Sequence, residues 1–247
     1  MEETVYAVAQ IQSVRENFQK NLDTHLQLIR EAAKENAGFI LFPEMSLTGY
    51  ERELAADQSF TAEDERLDGL RQAAIEHHMV ISAGGPLRIG GNLYIASWIF
   101  LPEGKQEIYI KKFLHPGEEV FYESREDYDP ILVRDGERIS FAICYDLEND
   151  DHIRKVAEQY ATMYTASIFY SSGGIDHGLD RLQHLAEQYR MPVLMSNYCG
   201  TCWDMTAGGR SSIWSDQGEL IISADEHTPC LILGICAEGT WHGKVIQ

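Results

Sequence analysis

Strand-like and helix-like segments alternate along nearly the whole chain of 247 residues, and this alternation limits the possible folds more than any other feature. Short apolar runs, such as residues 39–42 and 139–143, are typical of buried strands. Between residues 13 and 38, apolar side chains recur at helical spacing on one face, namely Leu22, Leu26, Ile29 and Ala33. The pattern predicts one α/β domain over residues 1–247, with sheets of mixed strand direction covered by helices.

Local signals place several element boundaries. Ser13 and Glu16 have the spacing of a capping box, so the first helix is expected to begin there. Residues 92–100 and 107–111 flank a turn that contains proline and glycine, which predicts a hairpin. The tail, residues 211–236, is expected to form antiparallel strands.

Charge and composition exclude several classes of function. The formal net charge is −19, and the acidic residues are spread along the chain. This field repels phosphate backbones and anionic lipids, so we expect neither nucleic-acid nor membrane binding. The first residues lack the pattern of a signal peptide, and no segment approaches the ~18 apolar residues of a membrane span. Five cysteines in a chain of this size predict reduced thiols and a cytoplasmic location.

Cys144 directly follows the apolar run 139–143, and several acidic residues come after it. Carboxylates are favourable near the positive end of a helix dipole, so Cys144 is predicted to end a strand just before a helix. Functional sites in open α/β folds lie at that edge, and a helix N-terminus lowers the pKa of a thiol. A buried core cysteine is the alternative interpretation.

Two further candidates also follow strand-like runs. Glu44 comes after the apolar residues 39–43, where partial desolvation raises the pKa of a carboxyl and makes it a usable base. Lys111 and Lys112 end the strand-like segment 107–110, where an ammonium could stabilise an oxyanion. The alternative is that each is a solvated residue beyond a strand end.

Together these segments resemble a known family. In order and spacing, the stretches Leu41-Phe-Pro-Glu44, Leu47-Thr-Gly-Tyr50, Tyr109-Ile-Lys111 and Ile143-Cys144-Tyr-Asp146 resemble the nitrilase superfamily of carbon–nitrogen hydrolases. Tyr164-Thr-Ala-Ser167 and Ala207-Gly-Gly-Arg-Ser211 agree as well, so that the resemblance covers essentially the whole chain. It implies an α-β-β-α sandwich and, as is usual in the family, a homodimer formed through a helical face.

The resemblance also implies a Glu–Lys–Cys triad. Cys144 would attack a carbonyl carbon, Glu44 would take its proton, and Lys111 would stabilise the tetrahedral oxyanion. Lys111 is preferred to Lys112 because the lysine of the family lies two residues after the tyrosine. No cofactor and no metal is implied.

Further site residues follow from the same resemblance. The backbone N–H of Tyr145 would complete the oxyanion hole, and Tyr50 and Ser167 are expected on the substrate side. Many members add a second glutamate in the loop after the lysine. Here Glu119 is the expected match, and Glu118 is the alternative.

The implied activity is hydrolysis of a small linear amide through a thioester. An N-carbamoyl amine hydrolase would use the same triad, nitrile hydrolysis is less expected, and a non-catalytic protein that retains the fold is a different class. Asp150 and Asp151 stand where members often carry Pro-Glu. Members that act on dicarboxylate monoamides show arginine four positions after the cysteine, whereas Glu148 stands here and argues against an anionic substrate.

Other motifs give competing interpretations. Cys199 and Cys202 form a Cys-x-x-Cys, which would need a helix for redox chemistry or two more ligands for zinc. His115 or His152 could act as the base of a Cys–His enzyme. The cations considered for substrate anions are Arg125, Arg181 and Arg210.

Overall fold

Two β-sheets pack face to face in the computed structural model, which describes residues 3–125, 131–134 and 136–247. In spatial order, the first sheet contains β15 (Thr240–Ile246), β14 (Cys230–Ala237), β1 (Glu3–Gln10), β2 (Phe39–Leu41), β3 (Val80–Ile89), β4 (Asn92–Phe100) and β5 (Gln106–Ile110). The second contains β13 (Leu220–Ser223), β12 (Ser212–Trp214), β9 (Val193–Ser196), β8 (Met163–Ser167), β7 (Glu137–Ile143) and β6 (Ile131–Arg134). A short hairpin, β10 (Thr201–Cys202) and β11 (Met205–Thr206), stands apart from both sheets.

Strand directions are mixed in both sheets, as the sequence predicts. β1, β2 and β3 are parallel to one another, and so are β7, β8 and β9, whereas the outer strands pair antiparallel. The expected hairpin is β4 and β5. The edge strand β15 was not predicted, because its sequence, TWHGKVI, is largely polar and exposed.

Helices cover the outer face of each sheet. They are α1 (Phe18–Lys34), α2 (Ala55–Gln58), α3 (Asp68–Glu76), α4 (Asp150–Glu158) and α5 (Ile175–Tyr189). Apolar side chains of α1 and α3 join the core that includes the first sheet, and those of α4 and α5 form a second core with β7, β8 and β9. The layers are therefore α-β-β-α, and the predicted fold class is confirmed. Within the described residues, no helix combines the length and apolarity that a membrane crossing requires.

The expected capping box of the first helix is wrong. Helix α1 begins at Phe18, and the side chain of Asn17 caps it by accepting from the Lys20 N–H at 3.0 Å. Ser13 instead donates its hydroxyl to the carbonyl oxygen of Ser46 at 3.2 Å, and Glu16 has a left-handed φ of 56° that no right-handed helix accommodates. A tertiary contact has therefore replaced the local one.

Serines at strand ends join the two sheets. The Ser167 hydroxyl at the end of β8 donates to the Phe42 carbonyl at 2.9 Å, and the Ser196 hydroxyl at the end of β9 donates to the Ala9 carbonyl at 2.6 Å. Both hydroxyls are buried, so each bond also satisfies a group that would otherwise be costly to bury. These ties bring together the edges that carry Glu44 and Cys144.

Candidate active site

Glu44 and Lys111 form a fully buried ion pair at the carboxyl ends of β2 and β5. Lys111 Nζ lies 2.8 Å from Glu44 Oε1, and neither side chain is exposed. Glu44 comes shortly after β2 and Lys111 directly after β5, so the backbone delivers both to one edge, as the sequence predicts. Glu44 Oε2 is buried and makes no hydrogen bond to any described residue.

A second carboxylate completes this cluster, and it belongs to Glu118. Lys111 Nζ lies 2.9 Å from Glu118, which also accepts from the Tyr50 hydroxyl at 2.5 Å and the His115 N–H at 2.8 Å. The expected residue, Glu119, is exposed, and its carboxylate accepts from the Gly117 N–H. The preference for Glu119 is thus wrong, because the 3₁₀-helix Glu118–Val120 turns successive side chains about 120° apart and only the first faces inward.

The cluster shifts the pKa values of its members in different directions. Burial raises the pKa of Glu44 to about 7, and Lys111 only partly opposes this. Burial also acts to raise the pKa of Glu118, but the Lys111 charge and the donors around Glu118 outweigh it and lower the pKa. The pKa of Lys111 is raised, since its anionic neighbours outweigh its own burial. Lys111 is therefore a fixed cation, whereas Glu44 can exchange a proton near neutrality.

Cys144 lies where β7 turns into the 3₁₀-helix Cys144–Glu148. Its φ of 44° is left-handed, a conformation that an L-residue adopts at a cost. Its Sγ lies 3.9 Å from the Phe169 carbonyl oxygen, and an interaction with the Cys144 thiol lowers the pKa of Glu44. The Tyr145 N–H belongs to the first turn of this helix, where backbone N–H groups have no partner within the helix.

The surroundings of Cys144 favour the thiol over the thiolate. Burial and the Glu44 charge raise the pKa of Cys144 well above its usual value, and Lys111 does not offset this. The expectation that a helix N-terminus lowers this pKa is therefore wrong, because desolvation dominates. A thiol in this state needs a base before it can act as a nucleophile.

Asp146 binds the cysteine turn to the end of β5. Its Oδ1 accepts from the N–H groups of Lys112 and Phe113 at 3.0 and 2.8 Å, and its Oδ2 accepts from the Ile143 N–H and the Tyr109 hydroxyl at 2.9 and 2.7 Å. This fully buried carboxylate thus fixes the position of Lys111 relative to Cys144.

A cavity of about 610 Å³ opens above Cys144. Its walls combine aromatic rings with charged groups, and they include Tyr50, Arg52, Tyr145, Glu148, Tyr170 and Trp203. Sequence reasoning identified Tyr50 and Tyr145 but missed Arg52 and Trp203, which no motif marks. The space accommodates a small organic molecule next to the thiol.

The family model described as carbon-nitrogen hydrolase matches residues 6–238 of the chain. The chain belongs to this family. This carbon–nitrogen hydrolase is 27% identical over 210 residues to the "Hydrolase in pqqF 5′region" of Pseudomonas protegens, a match that spans 81% of the chain and 73% of the relative. It is 24% identical over 222 residues to the glutamine-dependent NAD(+) synthetase of Aquifex aeolicus, covering 87% of the chain but only 38% of that much longer protein.

Solved structures show the same fold. The NitN amidase of Nesterenkonia sp. AN1 superposes with a TM-score of 0.84 at 21% identity, covering 93% of this chain and 91% of that one. A double mutant of the Nesterenkonia amidase in complex with acrylamide gives a TM-score of 0.86 at 20% identity, with 96% and 91% covered. Another of its mutants carries the acetamide moiety of fluoroacetamide on the active-site cysteine.

Ser167 does not line the cavity of this carbon–nitrogen hydrolase. Its side chain points between the sheets, where it makes the bond to Phe42 described above. The expectation that Ser167 contacts substrate is therefore wrong. A polar residue at a strand end can face either the site or the opposite sheet, and the sequence pattern does not distinguish the two.

The histidines do not take the place of Glu44. His152 is buried between Tyr109 and Tyr164, with its two ring nitrogens 3.0 and 3.3 Å from their hydroxyls, and burial lowers its pKa. His115 does line the cavity, but its Nδ1 contacts the carbonyl of the adjacent Pro116 at 3.0 Å. Neither arrangement pairs an imidazole with the Cys144 thiol.

The Cys-x-x-Cys motif lacks the helix start that the redox interpretation requires. All five cysteines are free, and Cys202 lies on strand β10 rather than at a helix start. Burial raises the pKa of both Cys199 and Cys202 to about 12, which disfavours the thiolate. Among the residues that the structure describes, no three His, Cys, Asp or Glu side chains converge as metal ligands would.

Proposed function

We propose that this carbon–nitrogen hydrolase is an amidase that cleaves a small linear amide with Cys144 as nucleophile, Glu44 as base and Lys111 as electrophilic stabiliser. The observation that carries the proposal is the buried cluster in which the Lys111 ammonium contacts Glu44 at 2.8 Å and Glu118 at 2.9 Å beside the thiol. Burying such a cluster costs free energy, and buried charged groups next to a pocket are typical of an active site.

The proposed first half-reaction forms a thioester. Glu44 takes the proton of the Cys144 thiol as the sulfur attacks the amide carbon, and the carbonyl π electrons move onto oxygen. Lys111 and the Tyr145 N–H stabilise this oxyanion. When the oxyanion collapses, the C–N bond breaks, and protonated Glu44 returns its proton to the departing nitrogen, which leaves as ammonia.

The second half-reaction repeats these roles with water. Glu44 removes a proton from the water that attacks the thioester carbon, and the same donors hold the new oxyanion. The C–S bond then breaks, and the proton on Glu44 passes to the sulfur, which restores the thiol. Glu118 remains ionised and holds Lys111, because the pKa of Glu118 is lowered.

A substrate panel tests the proposal. Amides, N-carbamoyl amines and nitriles are incubated with the protein, and ammonia release is compared with that of Cys144→Ala. We expect release from amides with the native protein only, and an acyl adduct on Cys144 in mass spectra of the quenched reaction. A Cys236→Ala variant is the matched control, since Cys236 is a half-buried cysteine on β14.

Two outcomes would redirect the proposal. Release from N-carbamoyl amines alone would make the protein an N-carbamoyl amine hydrolase with the same residues in the same roles. Equal release by native protein and Cys144→Ala would remove the thiol from the mechanism.

We further propose that residues 1–247 act as one carbon–nitrogen hydrolase domain, that the protein is cytoplasmic, and that two copies associate. The support for a homodimer is the resemblance to family members, which usually pair through a helical face. Sedimentation velocity at micromolar concentration distinguishes a dimer from a monomer.

A further inference from the structure

Arg52 places a positive charge in the wall of the catalytic cavity. It opens the 3₁₀-helix Arg52–Leu54, directly after Tyr50 and Glu51, and only 8% of its surface is exposed. Its Cζ lies 4.0 Å from the centroid of the Trp203 ring and 5.0 Å from that of Tyr50. Both rings line the same cavity as Cys144. The guanidinium is therefore held in place by its neighbours rather than extended into solvent.

Within the described part of the chain, this guanidinium has no anionic partner. Arg52 Nε is buried and makes no hydrogen bond there. The adjacent carboxylate, Glu51, turns to other partners, since it lies 3.6 Å from Arg15 Nε and accepts from the Trp203 N–H at 3.3 Å. Contacts with aromatic faces recover part of the cost of burying a cation, but they leave its hydrogen-bonding capacity unused.

The acidic residue of the cavity is already engaged. Glu148 Oε2 lies 3.3 Å from His177 Nε2 and 3.6 Å from Arg181 Nε, and Glu148 Oε1 accepts from the Tyr170 hydroxyl at 3.2 Å. Glu148 is therefore already paired with the charge of Arg181 and does not neutralise Arg52. Glu148 therefore does not by itself exclude an anionic substrate.

The hydroxyl of Tyr122 is a second unsatisfied polar group. The Tyr122 hydroxyl is buried and makes no hydrogen bond to a described residue. Burial, Glu44 and Glu118 raise the pKa of Tyr122, and the Arg52 charge opposes them, which places the hydroxyl within the electrostatic reach of both the cluster and Arg52. An unused buried donor calls for an explanation, and a bound ligand supplies one for Arg52, because Arg52 lines the cavity.

Trp203 owes its position to the hairpin of β10 and β11. The two turn residues, Trp203 and Asp204, have left-handed φ values of 48° and 54°, as a two-residue type I′ turn requires. The hairpin brings the indole ring onto the guanidinium from a segment about 150 residues away in sequence. Arg52 is thus fixed from two sides of the cavity mouth.

We infer that Arg52 binds a carboxylate of the substrate, so that the amide cleaved at Cys144 belongs to a molecule with a second, anionic end. This inference rests on the proposed amidase function and names its substrate class, a short-chain monoamide of a dicarboxylic acid. Aromatic rings line the cavity that Arg52 and Cys144 share, and they suit the methylene groups that join the two ends of such a substrate. A guanidinium recognises a carboxylate with paired N–H donors, whereas a lysine presents a single point of charge.

The first test compares matched substrates with the native protein. Succinamate and glutaramate carry the carboxylate, and levulinamide replaces it with a neutral methyl ketone of the same size as succinamate. We expect kcat/KM for the better monoamide to exceed that for levulinamide by at least about 30-fold, the loss that follows when one partner of a buried charge pair is removed. The advantage resides in KM and shrinks as salt is added.

The second test uses variants of Arg52. In Arg52→Gln, the ratio of kcat/KM for the monoamide to that for levulinamide is expected to fall by at least about 30-fold, and Arg52→Lys restores part of it. Arg15→Gln removes an exposed cation that pairs with Glu51 and should leave the ratio unchanged. Circular dichroism shows whether each variant is folded. If Arg52→Gln does not fold, the comparison of the monoamides with levulinamide in the native protein decides whether a carboxylate is recognised.

The outcomes separate the inference from the proposed function. Cys144-dependent hydrolysis of levulinamide at a rate equal to or above that of both monoamides overturns the inference and leaves the amidase function intact. If no amide is hydrolysed, the amidase function fails, and calorimetric titration of Cys144→Ala with succinamate and levulinamide decides the role of Arg52. Tighter binding of succinamate that Arg52→Gln abolishes supports a carboxylate site, and equal binding of both molecules refutes it.

Discussion

Asp146→Asn is expected to destabilise the protein by about 3 kcal/mol, because the carboxylate accepts four hydrogen bonds and an amide can accept only two of them. The asparagine NH₂ will replace Oδ2, where the Tyr109 hydroxyl can rotate to accept from it. The Ile143 N–H then loses its partner, and an orphaned buried N–H costs about 1–3 kcal/mol. The bonds that remain lose their charge assistance, about 1 kcal/mol each, and the lower cost of burying a neutral group offsets part of the total.

Urea denaturation, followed by circular dichroism at one fixed protein concentration, measures this loss. With an m-value of about 2–3 kcal/mol/M, a loss of about 3 kcal/mol lowers the midpoint by about 1 M. Turnover should fall as well, by about 100-fold, because Asp146 fixes Lys111 relative to Cys144 and small misplacements at a site are costly.

Asp151→Asn is the matched control. Asp151 is an exposed aspartate five residues further on, and it pairs with Arg154 at 2.7 Å on the surface, so its replacement should cost under about 1 kcal/mol. If Asp146→Asn unfolds at the native midpoint, or if both variants lose the same stability, then Asp146 is not the tie that its contacts indicate.

The other predictions concern Glu44. Gly84→Ala should lower kcat/KM by about 100-fold, because the added Cβ would lie 2.5 Å from the Met45 backbone N and must displace the Glu44 segment, whereas Gly91→Ala meets no atom within 4 Å and should be silent. The pH profile of kcat/KM should fall on the acid side with a midpoint near 7, because burial raises the pKa of Glu44 to about 7 and the base is protonated below it. An acid limb centred near 4.5, the ordinary pKa of a glutamate, would contradict the assignment of Glu44 as the base.

Much of the site could be predicted because strand ends are visible in a sequence. Glu44 follows an apolar run and Cys144 a mostly apolar one, and such runs deliver the next residue to the edge of a sheet. The resemblance to the nitrilase superfamily distinguished Lys111 from Lys112, because the lysine of that family lies two residues after the tyrosine. These assignments depend on local spacing, and the structure brings all three residues into one cluster.

The remainder depends on contacts between distant segments. Glu118 and Glu119 are adjacent acids in one loop, and only the rotation of a 3₁₀ turn selects which one reaches Lys111. Arg52 looks like an ordinary surface residue, since its burial depends on the Trp203 hairpin far along the chain. The prediction that Ser167 contacts substrate was wrong for a related reason. A side chain at a strand end can face either the site or the opposite sheet, and the sequence does not distinguish the two.

The left-handed backbone at Cys144 has a consequence for the engineering of this protein. Glycine adopts a φ of 44° with less strain than any other residue. Keeping a side chain at this position therefore lowers the stability of the fold. Selection for folding alone would favour glycine at this position, and under the proposed mechanism the resulting protein would be stable but inactive. Selection must therefore be coupled to turnover.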